Sequence, residues 1–193
     1  NVVQFQEVKV DKNTGAGTYS FVMPTPYITL IGEFIVPITT AQQLDSLSQQ
    51  CGTFRLDTNL NLGNEWNKKE IKLMGDFDVN GHRITYGGNC SLFHTIETKG
   101  SVRHLYVTAN LKGVKIGAES EDNIGGICRF NKGVIEDCEV SGSVKNERTA
   151  SFACGIAGHN SSTDEGGTIA YCHVLCDGLD APMVYGVARQ GKH

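Results

Sequence analysis

The stretch GGICRFNKGVIEDCEVSGSV, residues 125–144, decides the fold because its parts recur along the chain. Its opening, GICRFN at residues 126–131, matches GIAGHN at residues 155–160, and GVARQG at residues 186–191 begins the same pattern again. In sequence numbers the steps between openings are 155 − 126 = 29 and 186 − 155 = 31. Self-similarity at a nearly constant spacing indicates a repeat architecture, in which each unit stacks on the next.

A second block follows each opening, and its apolar positions stay in line from copy to copy. The copies read GSVRHLYV at residues 100–107, GVIEDCEV at 133–140 and GTIAYCHV at 167–174. The steps between successive copies are 133 − 100 = 33 and 167 − 133 = 34. The three apolar columns are Val102, Ile135 and Ile169; Leu105, Cys138 and Cys172; and Val107, Val140 and Val174.

These blocks predict short strands and not helices. Their apolar residues lie too close together for a helical stripe, and β-branched residues stand between glycines, which suit the corners of the chain. Stacked parallel strands would bring Ile135 onto Ile169 and Cys138 onto Cys172 at about 4.8 Å. The pattern therefore predicts an all-β protein folded as a β-solenoid of stacked parallel strands.

Polar and glycine positions within the repeat have structural roles in this prediction. Asn131 and Asn160 occupy equivalent places beside a bend, where one amide can bond to backbone groups and to the amide of the next coil. We therefore expect an asparagine ladder. The corner glycines of the three openings are Gly126, Gly155 and Gly186.

Residues 125–144 resemble the GLUG motif, with Arg129 in place of a consensus glycine. Further upstream, ITTAQQL at 38–44 is similar to the short capping helix that precedes such β-helices, and FRLDTNLNL at 54–62 to the strand after it. FDVNGHRI at 77–84 is similar to the turn and strand that come next. The resemblance implies one domain over residues 36–193, incomplete at its C-terminus and folded as a right-handed parallel β-helix. Thr40 is expected to be the N-cap of a helix over residues 41–50.

Residues 1–35 form a separate predicted unit. GTYSFVMP at 17–24 and ITLIGEF at 28–34 resemble the closing hairpin of bacterial surface repeats, and Pro24 and Pro26 suit the connection between the two arms. We therefore expect a β-hairpin that is the tail of a preceding repeat. Together with the start at Asn1 and the unfinished last repeat, this leads us to expect a chain excised from a larger protein.

The resemblance also implies a setting and a role. GLUG repeats occur in large adhesins and in the non-catalytic region of immunoglobulin A proteases. We therefore expect a structural or adhesion module of a secreted or cell-surface bacterial protein, binding host glycan or extracellular protein through a solenoid face and its loops. Two polar loops, at residues 117–123 and 161–166, are the candidate binding segments. Their candidate residues are Glu119, Glu121, Asp122, Asn123, Ser161, Thr163, Asp164 and Glu165.

Two other functions remain open at this point. A β-helix can act on carbohydrate as a lyase or glycosidase through paired carboxylates, and Asp57, Asp76 and Asp78 are the acids available for this. The chain can also serve purely as a spacer for another domain. No catalytic residue is assigned, because no nucleophile or phosphate-binding motif occurs in the sequence.

The composition excludes some classes of partner. The formal charge of −4 and the pI near 5.8 leave no basic excess for nucleic acid, and no apolar run is long enough to span a bilayer. The segment 76–81 has alternating oxygen ligands, but Gly87 stands where a calcium loop needs a glutamate. We expect neither metal nor cofactor. The seven cysteines form no CxxC pair, and we expect free thiols.

Overall fold

The computed structural model describes residues 7–10, 17–20, 35–67, 71–113, 123–146, 152–161, 166–181 and 183–190. Within these ranges the protein is all-β apart from one short helix, α1 (Ala41–Asp45). The strands in chain order are β1 (Glu7–Val10), β2 (Gly17–Ser20), β3 (Ile35–Ile38), β4 (Thr53–Leu56), β5 (Leu60–Asn61), β6 (Lys72–Leu73), β7 (Asp76–Asp78), β8 (Arg83–Gly88), β9 (Phe93–Ile96), β10 (Ser101–Arg103), β11 (Tyr106–Gly113), β12 (Asn123–Gly125), β13 (Cys128–Asn131), β14 (Val134–Glu136), β15 (Glu139–Asn146), β16 (Phe152–Cys154), β17 (Ala157–Asn160), β18 (Thr168–Ala170), β19 (His173–Asp180), β20 (Met183–Tyr185) and β21 (Ala188–Gln190).

Strands β3 to β21 form four parallel sheets. Sheet A has the order β18-β14-β10-β7-β4-β3, and sheet B the order β19-β15-β11-β8-β5. Sheet C has the order β12-β16-β20, and sheet D the order β21-β17-β13-β9-β6. From β10 onward the chain visits the sheets in the order A, B, C and D before it returns to A. The all-β prediction is confirmed, and this parallel topology is compatible with a β-solenoid.

The register of the sheets follows the apolar columns of the sequence. Val102 pairs with Ile135 and Ile135 with Ile169 in sheet A. In the same way Val140 lies between Val107 and Val174 in sheet B. Since parallel in-register strands place equivalent side chains above one another, the sequence spacing translates directly into stacked core positions.

The upstream coils are shorter than the repeat predicted from the sequence. Phe77 pairs with Val102, an offset of 102 − 77 = 25, and Phe54 pairs with Phe77, an offset of 77 − 54 = 23. The later coils are longer because they include sheet C, whose strands begin at Asn123 in the described part of the chain. Coils without this fourth strand need a shorter length of chain to return to sheet A.

The core runs through the stack as a column of apolar side chains. Phe54, Phe77, Val102 and Ile135 all face inward and are at most 2% exposed. The next member of the column, Ile169, is only partly buried because β18 lies at the edge of sheet A. Removal of this apolar surface from water is the main favourable term for the stack.

The helix is correctly placed but shorter than predicted. Thr40 and Gln43 form a capping box, in which the Thr40 hydroxyl accepts from the backbone N–H of Gln43 at 3.2 Å. The predicted end at residue 50 is wrong, since α1 ends at Asp45. Gln49 has a left-handed φ of 62°. Its backbone N–H donates to Lys72 O at 2.9 Å, and this tertiary hydrogen bond replaces the next helical turn.

The N-terminal strands β1 and β2 form an antiparallel pair with Glu7 opposite Ser20 and Val10 opposite Gly17. The predicted hairpin instead joined residues 17–24 to residues 28–34. Its second arm lies outside the described residues, so the assignment of residues 1–35 as a repeat tail stays a prediction.

Candidate ligand-binding cleft

A polar cleft lies at the end of β8, between the segment 64–67 and strand β11. It has a volume of about 460 Å³, and an adjoining depression of about 480 Å³ shares the segment 64–67. Both volumes are within the range of small-molecule sites. The residues that line the cleft are Asn64, Glu65, Trp66, Asn67, Gly88, Asn89, Asn110 and Lys112.

Two consecutive glycines hold the sides of the cleft close to β8. Gly87 donates to Gly63 O at 2.7 Å and accepts from the Trp66 amide at 2.8 Å, which ties the segment 64–67 to the sheet. On the other side, Asn110 of β11 pairs with Gly87 in register. Gly88 has a φ of 155°, and a Cβ there would lie 2.1 Å from Trp66 O. Only glycine allows this approach, so Gly88 is a structural requirement of the cleft.

Two buried polar atoms belong to residues of this cleft. The Trp66 side chain is 6% exposed, and its indole Nε1 has no hydrogen-bond partner among the described residues. The Asn89 Oδ1 is also buried without a partner in this part of the chain. An unsatisfied buried donor or acceptor costs about 1–3 kcal/mol.

The predicted binding loops are described only at their ends. Glu119, Glu121, Asp122, Thr163, Asp164 and Glu165 lie outside the described residues. Asn123 begins β12, and the Ser161 amide donates to Asn131 O at 2.9 Å. The role of both loops in binding therefore stays a prediction.

The three candidate catalytic acids lie on or next to sheet A, whereas the cleft lies at the end of β8 in sheet B. Asp57 accepts from Arg55 Nε at 2.7 Å, and this hydrogen bond lowers the pKa of the Asp57 carboxyl. Asp76 accepts from the Ser101 hydroxyl and lies 3.7 Å from an Arg103 guanidinium nitrogen. Each acid therefore has a polar partner within the sheet surface.

Asp78 lies in a chain of side chains that crosses three coils. His104 Nδ1 donates to Asp78 Oδ1 at 2.9 Å, and His104 Nε2 lies 3.8 Å from Asp137 Oδ2. Partial burial would raise the pKa of Asp78, but the bonds from His104 and from the Asn80 amide outweigh it and lower the pKa. Asp78 is therefore held ionised in a structural network.

The predicted asparagine contact is present. Asn131 Nδ2 donates to Asn160 Oδ1 at 2.8 Å, and Asn160 Nδ2 donates to Gly167 O at 2.8 Å. Asn131 is fully buried, and its Oδ1 accepts from the Gly133 amide at 3.2 Å. These bonds link adjacent coils and use the polar atoms of the amides, which supports a structural role.

The corner glycines stack as predicted, and so do Cys138 and Cys172 of adjacent coils. The Gly126 amide donates to Gly155 O at 3.0 Å, and the Gly155 amide to Gly186 O at 3.1 Å. Cys138 and Cys172 have the same local geometry, since each Sγ donates to the carbonyl two residues earlier at 3.1 Å. Their mutual contact, together with burial, raises the pKa of Cys138. The described cysteines are free thiols.

No group of three or more His, Cys, Asp or Glu side chains that could hold a metal ion occurs among the described residues. Likewise, the described part of the chain has no helix that is long and apolar enough to cross a bilayer.

The cleft was missed by reasoning from sequence alone. Its local signals were the amide-rich segment NEWN at residues 64–67, which contains the single tryptophan, and GGN at 87–89. Neither matches a known ligand motif, and their contact with Asn110 depends on the register of three coils.

Comparisons with known proteins give no family assignment for this chain. No family model matches this sequence, no curated protein does so, and no solved structure matches the fold.

Proposed function

We propose that this chain is a non-catalytic adhesion module of a secreted or cell-surface bacterial protein. In this proposal it folds as a right-handed parallel β-helix of GLUG type and binds an extracellular glycan or protein. The ligand site is the cleft lined by residues 64–67, 88–89, 110 and 112. The bacterial and exported setting rests on the sequence resemblance at residues 125–144 and upstream.

The β-helix part of the proposal is supported by the order in which the chain visits the four parallel sheets. Helix α1 is suited to cover the first coil, because Leu44 and Leu47 turn into the core at no more than 1% exposure. An end without such cover would leave strand edges and apolar side chains open to solvent.

The binding part is carried by one observation, the cleft at the end of β8, whose lining includes four asparagines. These are Asn64, Asn67, Asn89 and Asn110, whose side-chain amides both donate and accept hydrogen bonds. A cleft with several convergent polar groups is the usual form of a specific ligand site.

The non-catalytic part is supported by the partners of the available acids. Asp57, Asp76 and Asp78 each bond to a neighbouring side chain, and the pKa values of Asp57 and Asp78 are lowered. A general acid of a glycosidase needs a raised pKa, the opposite direction.

The test is a glycan-array and mucin-binding screen of the purified chain, run beside a reducing-sugar release assay on the same polysaccharides. Binding without release is the expected result. Release of product would overturn the proposal in favour of a carbohydrate-active enzyme and would direct mutagenesis to Asp57, Asp76 and Asp78. The absence of both binding and release would overturn it in favour of a spacer.

A further inference from the structure

Two thiols of adjacent coils meet at the corner between sheets A and B. Cys138 lies in the turn between β14 and β15, Cys172 lies in the turn between β18 and β19, and their side chains contact each other. We propose that this pair is a redox site, which a hydroperoxide oxidises to an intramolecular disulfide that joins the two coils. The site shares no residue with the cleft and does not depend on the proposed binding function.

The corner has the same backbone geometry in both coils. The residue before each cysteine is left-handed, with a φ of 55° at Asp137 and 53° at Tyr171. The backbone N–H of His173 donates to Cys138 O at 2.8 Å, which holds the two turns one strand spacing apart. This spacing is about 4.8 Å, and a disulfide accepts Cα–Cα separations of about 4.4–6.8 Å. The pair therefore already has the backbone separation of a disulfide.

Only a small movement is needed to join the two sulfur atoms. Side chains stacked in parallel strands keep about 4.8 Å between their Cβ atoms, whereas a disulfide needs about 3.5–4.5 Å, so the corner must close by about 1 Å. Cys172 lies between β18 and β19, which are edge strands of sheets A and B. These strands can move toward Cys138 without the displacement of another described strand.

The two thiols differ in exposure, and this difference assigns their roles. Cys138 is 2% exposed, whereas Cys172 is half-buried and open to a small oxidant. The Cys138 S–H can turn from its own carbonyl contact to donate to Cys172 Sγ, and this hydrogen bond lowers the pKa of Cys172. Because the thiolate is the reactive form, Cys172 is the attacking group and Cys138 the resolving thiol.

The reaction consumes one hydroperoxide, ROOH. The Cys172 thiolate attacks the terminal oxygen and the O–O bond breaks, which gives a sulfenic acid at Cys172 and the alcohol ROH, which takes up the thiol proton. Cys138 Sγ then attacks the sulfenic sulfur, and the S–O bond breaks. The hydroxide leaves as water with the proton of Cys138. Two thiols are thereby oxidised to one disulfide, and the hydroperoxide is reduced to alcohol and water.

Other thiols of the chain lack this combination of partner and access. Cys128 and Cys154 are fully buried, and burial raises the pKa of Cys128. Cys176 is half-buried like Cys172, but it pairs in register with Gly142, which carries no thiol, and burial raises its pKa. Cys176 is therefore the matched control.

The experiment treats the folded chain with hydrogen peroxide and counts its thiols after denaturation. Cys51→Ser removes the exposed cysteine, which leaves 7 − 1 = 6 thiols. Closure of one disulfide should reduce the count to 6 − 2 = 4, and dithiothreitol should restore all six. The oxidised chain should also have a higher urea midpoint, since the disulfide joins residues 172 − 138 = 34 positions apart.

Peptide mapping identifies the sulfur atoms that are joined. Cleavage after Tyr171 and Leu175 separates Cys172 from the neighbouring cysteines in the sequence. We expect a disulfide between the Cys138 and Cys172 peptides, and oxidation of Cys176 should need a peroxide concentration at least about tenfold higher.

Cys138→Ser tests the two roles. Without the resolving thiol, Cys172 should stop at the sulfenic acid, which dimedone labels, and one thiol should be lost instead of two. Absence of this label from the folded variant would overturn Cys172 as the attacking thiol.

The chain that retains Cys138 gives results that do not depend on the folding of the variant. The proposal is overturned if Cys138 and Cys172 both stay reduced at the peroxide concentration that oxidises Cys176. A disulfide between any other pair, or a sulfinic acid at Cys172, would overturn it as well.

Discussion

Replacement of Asn131 by alanine tests whether the asparagine ladder joins the coils. Asn131 is fully buried and makes three hydrogen bonds: Nδ2 donates to Asn160 Oδ1 at 2.8 Å and to Thr168 O at 3.2 Å, and Oδ1 accepts from the Gly133 amide at 3.2 Å. At a net ~1 kcal/mol for each bond, Asn131→Ala should lower the free energy of unfolding by about 3 kcal/mol.

Urea unfolding followed by circular dichroism measures this loss, with Asn61→Ala as the control. Asn61 is exposed and makes one bond to the Gly63 amide at 3.0 Å, so the same substitution there should cost less than about 1 kcal/mol. A double-mutant cycle with Asn160→Ala should give a coupling of about 1 kcal/mol. A loss at Asn131 no larger than at Asn61, or no coupling to Asn160, would refute the ladder as a stabilising contact.

Three further predictions follow from single groups. Gly88→Ala should destabilise the protein by about 1–3 kcal/mol, because its Cβ would meet Trp66 O at 2.1 Å; an unchanged urea midpoint would contradict the tight approach. The pKa of Asp78 is lowered in the folded protein, so its bond to His104 stabilises the fold above the unfolded pKa of about 3.9. This stabilisation is lost as the pH falls through the folded pKa, and Asp78→Asn should therefore flatten the acid limb of a pH–stability curve. In thiol titration of the native chain, exposed Cys51 should react first and the buried thiols only on unfolding; fewer than five reactive thiols in denaturant without reductant would contradict free cysteines.

The local patterns of the sequence were sufficient for several features. The capping box at Thr40 was readable because its bonds join residues three apart. The end of α1 was not, because the bond from Gln49 to Lys72 that replaces the next turn joins residues from different coils.

What the sequence by itself determined is the stack of the later coils. In parallel in-register strands the offset between paired residues equals the repeat length, so the columns at Val102, Ile135 and Ile169 already contained the register. The ladder between Asn131 and Asn160 followed for the same reason.

Only the tertiary structure decided the cleft. Its walls come from three coils, and the steps between paired residues of these coils are 84 − 60 = 24 for Leu60 and Ile84 and 107 − 84 = 23 for Ile84 and Val107. Neither step matches the longer period of the repeat. Which side chains meet across coils depends on how much chain each coil needs to close on the core, and that length is set by packing and not by a local pattern.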